Sequence, residues 1–393
     1  MNSPLETMNA REVGERLRIA REEAGLKQAE AAESIGVART TLVAIEQGQR
    51  RVRMGELRAL ARLYGKSVNA LLRQEAVHAD LLPRFRKLGT SYPDAVERAA
   101  ALLNHLTRAE VELENLLGIQ RVRNYPPERP ILAGDVCVQA EQDALELRQW
   151  LGLGHAPIQD VLSILERQLG MRVFVRKLPA EISGLFAFDE GAGACVLLNA
   201  NHRRGRRNLS AAHEAGHLVT RQPAEVLDRN KSEETREERY AHAFSRCFMM
   251  PARTVKEQFK EMTAGSKRLL RQHVILLAHI FSVSREALVR RLEELKLVRP
   301  GAWEWFESNG KITDEQEREV LGDRLGPDER AIDAQAVVGS RLALLASAAW
   351  RQGLLSEGQL AELLNVDRVE LRRFLQDAEL EGSNGDDAPE LLA

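Results

Sequence analysis

The segment Ser210–Arg221 reads SAAHEAGHLVTR, and its chemistry rests on three side chains, His213, Glu214 and His217. Helix positions four apart share a face, so the two imidazoles can reach one cation. Glu214 falls on the flank of that face, where a water would stand. A hydrolytic zinc site uses three protein ligands and keeps a fourth position for that water. A cation there lowers the pKa of the water towards about 7, and a carboxylate takes its proton as it attacks a carbonyl. The competing reading is an ordinary helix with two surface histidines and a salt-bridged glutamate. Against it, Ala211, Ala212, Ala215 and Gly216 carry no charge, and Leu218 and Val219 extend an apolar face, as a buried active-site helix requires.

The third ligand must come from a later element. EERYAHAFSRCFMMP, residues 237–251, reads as a helix that ends at a proline. Upstream, MRVFVRKL (171–178), ISGLFAFD (182–189) and ACVLLN (194–199) are β-rich, and EGAG between the last two is a hairpin-turn signal. Two amphipathic helices separated by Gly and Pro precede this sheet over 141–170, and two more surround SVS in 269–298. His202 and the RRGRR run, Arg203–Arg207, fall in the loop before the histidine helix, where a solvated turn is expected rather than a docking site. His155 reads as a helix-cap residue, and Tyr240 as a packed aromatic rather than an oxyanion donor.

The first 75 residues have a different pattern. Apolar spacing gives a helix over Gly14–Ala24 that stops at Gly25, then short helices over Gln28–Ser34 and Ala38–Glu46 joined through Gly36. Two further helices fit near Met54–Tyr64 and Ser67–Leu72. Short helices joined through a tight glycine turn are the helix-turn-helix signature. Val37, Leu42 and Ile45 form the inner face of the second, and Arg39, Thr40, Thr41 and Ala44 look outward. This region holds 13 Lys and Arg against 10 Asp and Glu, a mild basic bias in which position matters more than sum.

LKQAEAAESIGVARTTLVAIEQG resembles the lambda-repressor-like (XRE) helix-turn-helix family almost position for position. The resemblance implies that the Arg39 helix enters the major groove of a double-stranded DNA operator. Arg39 and Thr40 would then read bases, arginine pairing bidentately with guanine. Gln28, Thr41, Arg50, Arg51 and Arg53 would hold phosphates. A homodimer on a two-fold operator is expected. In the second half, the order of hairpin, LLN, basic stretch, AHEAGH and ExxAxxFxxxxxMP resembles the ImmA/IrrE metallopeptidases over roughly residues 145–300. That likeness implies one divalent metal on His213, His217 and Glu238, with Glu214 as general base. Glu237 is the adjacent competitor for third ligand and Glu234 a remoter one. Zn2+ suits such a donor set, which also admits Mn2+ or Fe2+. The sequence departs from the family pattern at Ser245, usually Ala, and at His242, usually Asn or Asp. His242 lies one turn beyond Glu238, so it could reach the metal or an oxyanion, or simply pack.

The composition sets the frame. In 393 residues, 44% are hydrophobic, 29% charged and 5% aromatic, with a formal net charge of -2, an ordinary globular balance rich in helix formers. Cys137, Cys195 and Cys247 are too few and too scattered for a disulfide framework or a cysteine zinc site. With no signal-peptide core and no apolar run of membrane length, a cytoplasmic protein without membrane contact is expected. The expected fold is mainly α with a small β-sheet (α+β). A five-helix DNA-binding domain covers 8–75, a helical connector and Pro-rich linker 76–144, and a zincin-like HExxH peptidase domain 145–300. A helical interaction module then covers 301–380 and a disordered tail 381–393.

The family likeness implies a DNA-binding regulator whose zinc-dependent endopeptidase domain cuts a partner XRE-type repressor in a stress response. The alternative is a non-proteolytic regulator whose peptidase-like domain senses a metal, a ligand or a toxin partner, as an antitoxin would.

Overall fold

The computed structural model describes residues 10–64, 68, 71, 81, 82, 94–222, 224–228, 235–322, 340–372 and 375. The tail from 381, Glu234 and most of the helix expected near Ser67–Leu72 lie outside these residues. The chain divides between two compact units, one drawn from residues 1–78, 105–121 and 340–393, the other from 79–104 and 122–339. The fold is mainly α with one small sheet, in the α+β class.

In the first unit, α1 (Ala10–Glu23), α2 (Gln28–Ser34), α3 (Arg39–Glu46) and α4 (Met54–Leu63) follow the expected order. Their apolar positions Leu17, Leu42, Ile45, Leu57 and Leu60 are buried together with the Arg21–Glu46 ion pair, whose Nε–Oε1 separation is 2.7 Å. The long helix α5 (Asp94–Leu117) contributes its residues from His105 onward. Glu114 on α5 pairs with Arg341 at 3.0 Å, which draws in a helical pair late in the chain.

In the second unit, α6 (Val136–Trp150) begins under an Asp135 cap. It is followed by a short helical turn, Val161–Ser163, that widens into π-helical geometry over Ile164–Gln168. Then come β1 (Arg172–Arg176), β2 (Ile182–Asp189), β3 (Gly193–Asn199) and α7 (Arg204–Val219). The expected solvated loop at Arg203–Arg207 is instead the N-cap and first turn of α7. These arginines fasten the helix: Arg203 pairs with Asp314, Arg204 donates to the Gln159 carbonyl and Arg206 to the Ser183 hydroxyl.

Beyond α7 lies β4 (Ala224–Asp228), a strand that sequence pattern did not reveal. The sheet order is β1-β3-β2-β4, with β1 parallel to β3 and β2 antiparallel to both its neighbours. Every residue of β1 and β3 is buried, and their inner stretches, 173–175 and 194–198, read as continuous apolar runs rather than alternating ones. Asn199 at the end of β3 ties down the β1–β2 loop, its amide donating to the carbonyls of Pro179 and Ile182 at 2.9 and 2.8 Å.

The remainder of this unit is α8 (Arg236–Met249), α9 (Ala252–Met262), α10 (Arg271–Ile280), α11 (Arg285–Glu294), α12 (Ala302–Ser308) and α13 (Asp314–Leu321). The first unit closes with α14 (Ser340–Arg351) and α15 (Glu357–Leu364), so residues 301–380 are shared between the two units. The Pro-rich stretch is not loose chain. Asn124 N donates to the Leu169 carbonyl at 3.1 Å, Arg129 N to Val219 at 2.9 Å, and Arg221 reaches the Pro126 carbonyl at 2.6 Å.

Arg148 on α6 is fully buried, and three backbone carbonyls receive its guanidinium. Its guanidinium donates to Gly154 at 2.7 Å and to Phe248 and Ala156, and lies over the Phe248 ring. Burial lowers its pKa to about 10. The Phe248 carbonyl belongs to the last turn of α8, the negative end of that helix, where a cation is favoured. Lysine has the charge but not the planar fork that meets three acceptors at once. Arg148→Lys is therefore expected to destabilise the protein by about 2 kcal/mol. A denaturant midpoint indistinguishable from that of the unsubstituted protein would show that the fork is dispensable.

Candidate metal centre

The metal-site candidates stand on two helices that cross closely. On α7 every residue from Ser210 to Val219 is buried, and Phe186 of β2 lies 5.8 Å from the His217 ring, centroid to centroid. On α8 the Thr235 hydroxyl accepts from Glu238 N at 3.2 Å, which caps the helix and fixes its first turn. Glu238 then faces inward with Tyr240, Ala241, Phe244 and Phe248. The rings of Tyr240, Phe244 and Phe248 stack along the helix at 5.9 and 5.8 Å.

Gly216 permits the crossing. A Cβ at that position would stand 3.2 Å from Phe244 Cδ1 and 3.3 Å from Ala241 Cα, so the glycine of HEAGH and the alanine of ExxAxxF are the two sides of one contact. Sequence reading recognised both residues as pattern and missed their shared physical purpose.

Through this contact three donors meet. His213 Nε2 and His217 Nε2 are 3.0 Å apart, His213 Nε2 lies 3.4 Å from Glu238 Oε2, and His217 Nε2 lies 3.6 Å from Glu238 Oε1. Tetrahedral ligands at ordinary Zn–N and Zn–O lengths sit about 3.3 Å from one another. The three residues form the only such His, Cys, Asp and Glu group among the described residues. Glu238 Oε1 is buried with no hydrogen-bond partner among those residues, a costly state that a facing cation relieves. Burial, with His242 and Arg246 nearby, holds the His213 imidazole well below its ordinary pKa. That keeps it in the neutral form a metal requires. The residues present therefore fit a divalent cation.

Glu214 is buried beside His213, its Oε1 directed at β2, where a Cβ on Gly184 would come within 2.6 Å. Glu237 is half-exposed and outside the cluster. Tyr240 packs in the core and donates to Asp143 Oδ2 at 2.8 Å. The His155 carbonyl accepts from the Thr254 hydroxyl at 2.7 Å, and its ring is exposed.

In the first unit, Arg39 and Thr40 are exposed at the start of α3, Thr41 is half-buried, and Arg51 and Arg53 are exposed in the turn before α4. Gln28 and Arg50, expected on phosphates, have partners within the unit. Gln28 Nε2 donates to Glu46 Oε2 at 2.8 Å, and Arg50 makes a fork to Glu56 at 3.0 and 2.8 Å. A second demand on Gln28, invisible in sequence, is thus the buried Arg21–Glu46 pair.

Gly216→Val forces α8 away from α7 without replacing any of the three donor residues. Its affinity for a divalent metal ion is expected to fall roughly tenfold or more, as for other losses of ligand support. Competition with a chromophoric chelator reads this directly, and unchanged affinity would show that the crossing does not set the donor spacing.

The comparisons with known proteins agree with the two-part reading. The helix-turn-helix domain family model matches residues 12–74, and the IrrE N-terminal-like domain family model, a metallopeptidase-like group, matches residues 166–293. No curated protein matches the chain. Among solved structures, the crystal structure of ComR from Streptococcus suis is 12% identical, with 96% of this chain and 91% of that one covered and a TM-score of 0.16. The chain thus joins a helix-turn-helix DNA-binding domain to an IrrE N-terminal-like, metallopeptidase-like domain of the ImmA/IrrE family.

Proposed function

We propose that this protein is a DNA-binding regulator whose second domain is a metal-dependent endopeptidase acting on a partner XRE-type repressor in a stress response. The observation that supports it is the convergence of His213, His217 and Glu238 at 3.0–3.6 Å with the Glu214 carboxylate buried alongside. His213, His217 and Glu238 would hold the cation, Zn2+ by preference for this donor set. When bound, that ion supplies Lewis acidity, acidifying a water and polarising a peptide carbonyl. Glu214 takes the proton of the attacking water and hands it to the departing amide nitrogen. The walls of β2 and α8 exclude bulk water, which strengthens each charge interaction in the pocket.

The regulator half follows from α3. Arg39 and Thr40, exposed at its N-terminal end, enter the major groove, Arg39 reading a guanine. Thr41, Arg51 and Arg53 lie along the phosphates, with Gln28 and Arg50 contributing through their remaining donors. A homodimer on a two-fold operator would bring the endopeptidase to a repressor bound on the same DNA.

One observation favours a second reading. All three donors are almost wholly buried, as suits a regulator that senses a metal, a ligand or a toxin partner without cutting. The two readings separate on one substitution. Glu214→Gln is expected to bind one zinc per chain as before and to lose cleavage of the XRE-type repressor encoded beside it by at least about a hundredfold. Metal analysis and fragment detection on gels measure both. Equal cleavage by the variant removes Glu214 from the reaction, and intact repressor under every inducing condition with the parent protein favours the sensor.

For the DNA half, Arg39→Ala is expected to weaken operator binding by about 1–3 kcal/mol and to relax the sequence preference at one base pair. A selection from random duplexes, repeated with the variant, measures both, and an unchanged preference would place Arg39 off the bases.

A further inference from the structure

We infer that His242 is a further catalytic residue of the metal centre, the donor that receives the negative oxygen of a tetrahedral species formed there. The inference deepens the endopeptidase reading and rests on it. His242 lies one turn along α8 from Glu238, and its Nε2 is 3.8 Å from Glu238 Oε2. Its ring stands 4.5 Å from that of His213, centroid to centroid. Yet it is not one of the three residues whose donor atoms all lie within 4.8 Å of one another. It therefore stands beside the donor set, on the Glu238 side.

Exposure separates its task from theirs. The side chains of His213, His217 and Glu238 are 2%, 1% and 6% exposed, whereas His242 is 36% exposed. The three donors are buried, and His242 is the imidazole beside them that solvent, and so an incoming peptide, can reach. A carbonyl oxygen gains negative charge as water adds to it, and a fixed N–H aimed at that position stabilises the addition far more than it stabilises the resting carbonyl. The atoms balance with groups already named: the water oxygen bonds to the carbonyl carbon, its proton passes to Glu214, and the π electrons move to the oxygen that His242 Nε2–H meets. Tyr240 is engaged with Asp143, and Arg246 pairs with Glu294 at 2.7 Å.

The test uses the full chain loaded with Co2+ and methylphosphonate, a tetrahedral oxyanion, as the probe, read in the cobalt absorption spectrum. His242→Ala is expected to keep one cobalt and an unaltered resting spectrum while binding methylphosphonate roughly tenfold or more weakly. His242→Asn, which restores an N–H donor without an imidazole, should recover most of that affinity. Equal probe affinity in the alanine variant overturns the inference. So does a changed resting spectrum or a lost cobalt in both variants, which would make His242 a ligand instead. If the parent protein itself takes up no cobalt, the metal-centre reading fails, and this one fails with it.

Discussion

The close crossing of α7 and α8 is the constraint on which the second unit depends. Two donors lie on one helix and the third on the other, so the distance between helices sets the distance between donors. A glycine at 216 opposite Ala241 and Phe244 lets the backbones approach to van der Waals contact. The remaining parts hold that contact in place. Thr235 fixes where α8 begins, Arg148 fastens where it ends, and the Phe186 ring supports His217 from the sheet. Because packed helices do not deform continuously, a site built across such a crossing is either formed or displaced as a whole.

The first unit rests on a different interaction, the buried Arg21–Glu46 pair with Gln28 as a third member. An ion pair removed from water contributes little net stability but strongly penalises arrangements in which one partner is left alone. It joins α1, α2 and α3, and so fixes the angle at which α3 offers Arg39 and Thr40. Arg50 and Glu56 do the same for the turn into α4. Gln28 and Arg50 thus serve the frame first, and Arg39, Thr40, Arg51 and Arg53 are exposed around them.

Much of this was legible in the sequence because local signals were strong. The α2 limits follow from a glycine turn and alternating Ala and Glu, and the β2 limits from an apolar run closed by EGAG. His213 and His217 needed only helical periodicity. Glu238 needed a family resemblance, since nothing local ties a carboxylate to an imidazole 21 residues upstream, at His217. What escaped was non-local or irregular. β4 is short and gains its identity from pairing with β2 across α7. The arginines at 203–207 read as a solvated loop because charge clusters usually are, whereas here their partners lie on distant elements: Asp314, Gln159 and Ser183. The Pro-rich stretch looked like a linker because proline cannot join a ladder, yet its free carbonyls and amides meet Arg221, Leu169 and Val219.

Charge balance gives the last reason to regard the centre as built for a cation. Glu214 is the chain neighbour of His213 and Glu238 its contact partner, so two carboxylates are buried around one imidazole that burial itself holds neutral. A carboxylate removed from water loses hydration worth several kcal/mol unless an opposite charge replaces it. A purely structural helix pair would gain by carrying alanine or leucine at 214 and 238, as it does at 215 and 218. Retaining acids there is costly to folding, and a divalent ion at the convergence of the three donors would offset that cost.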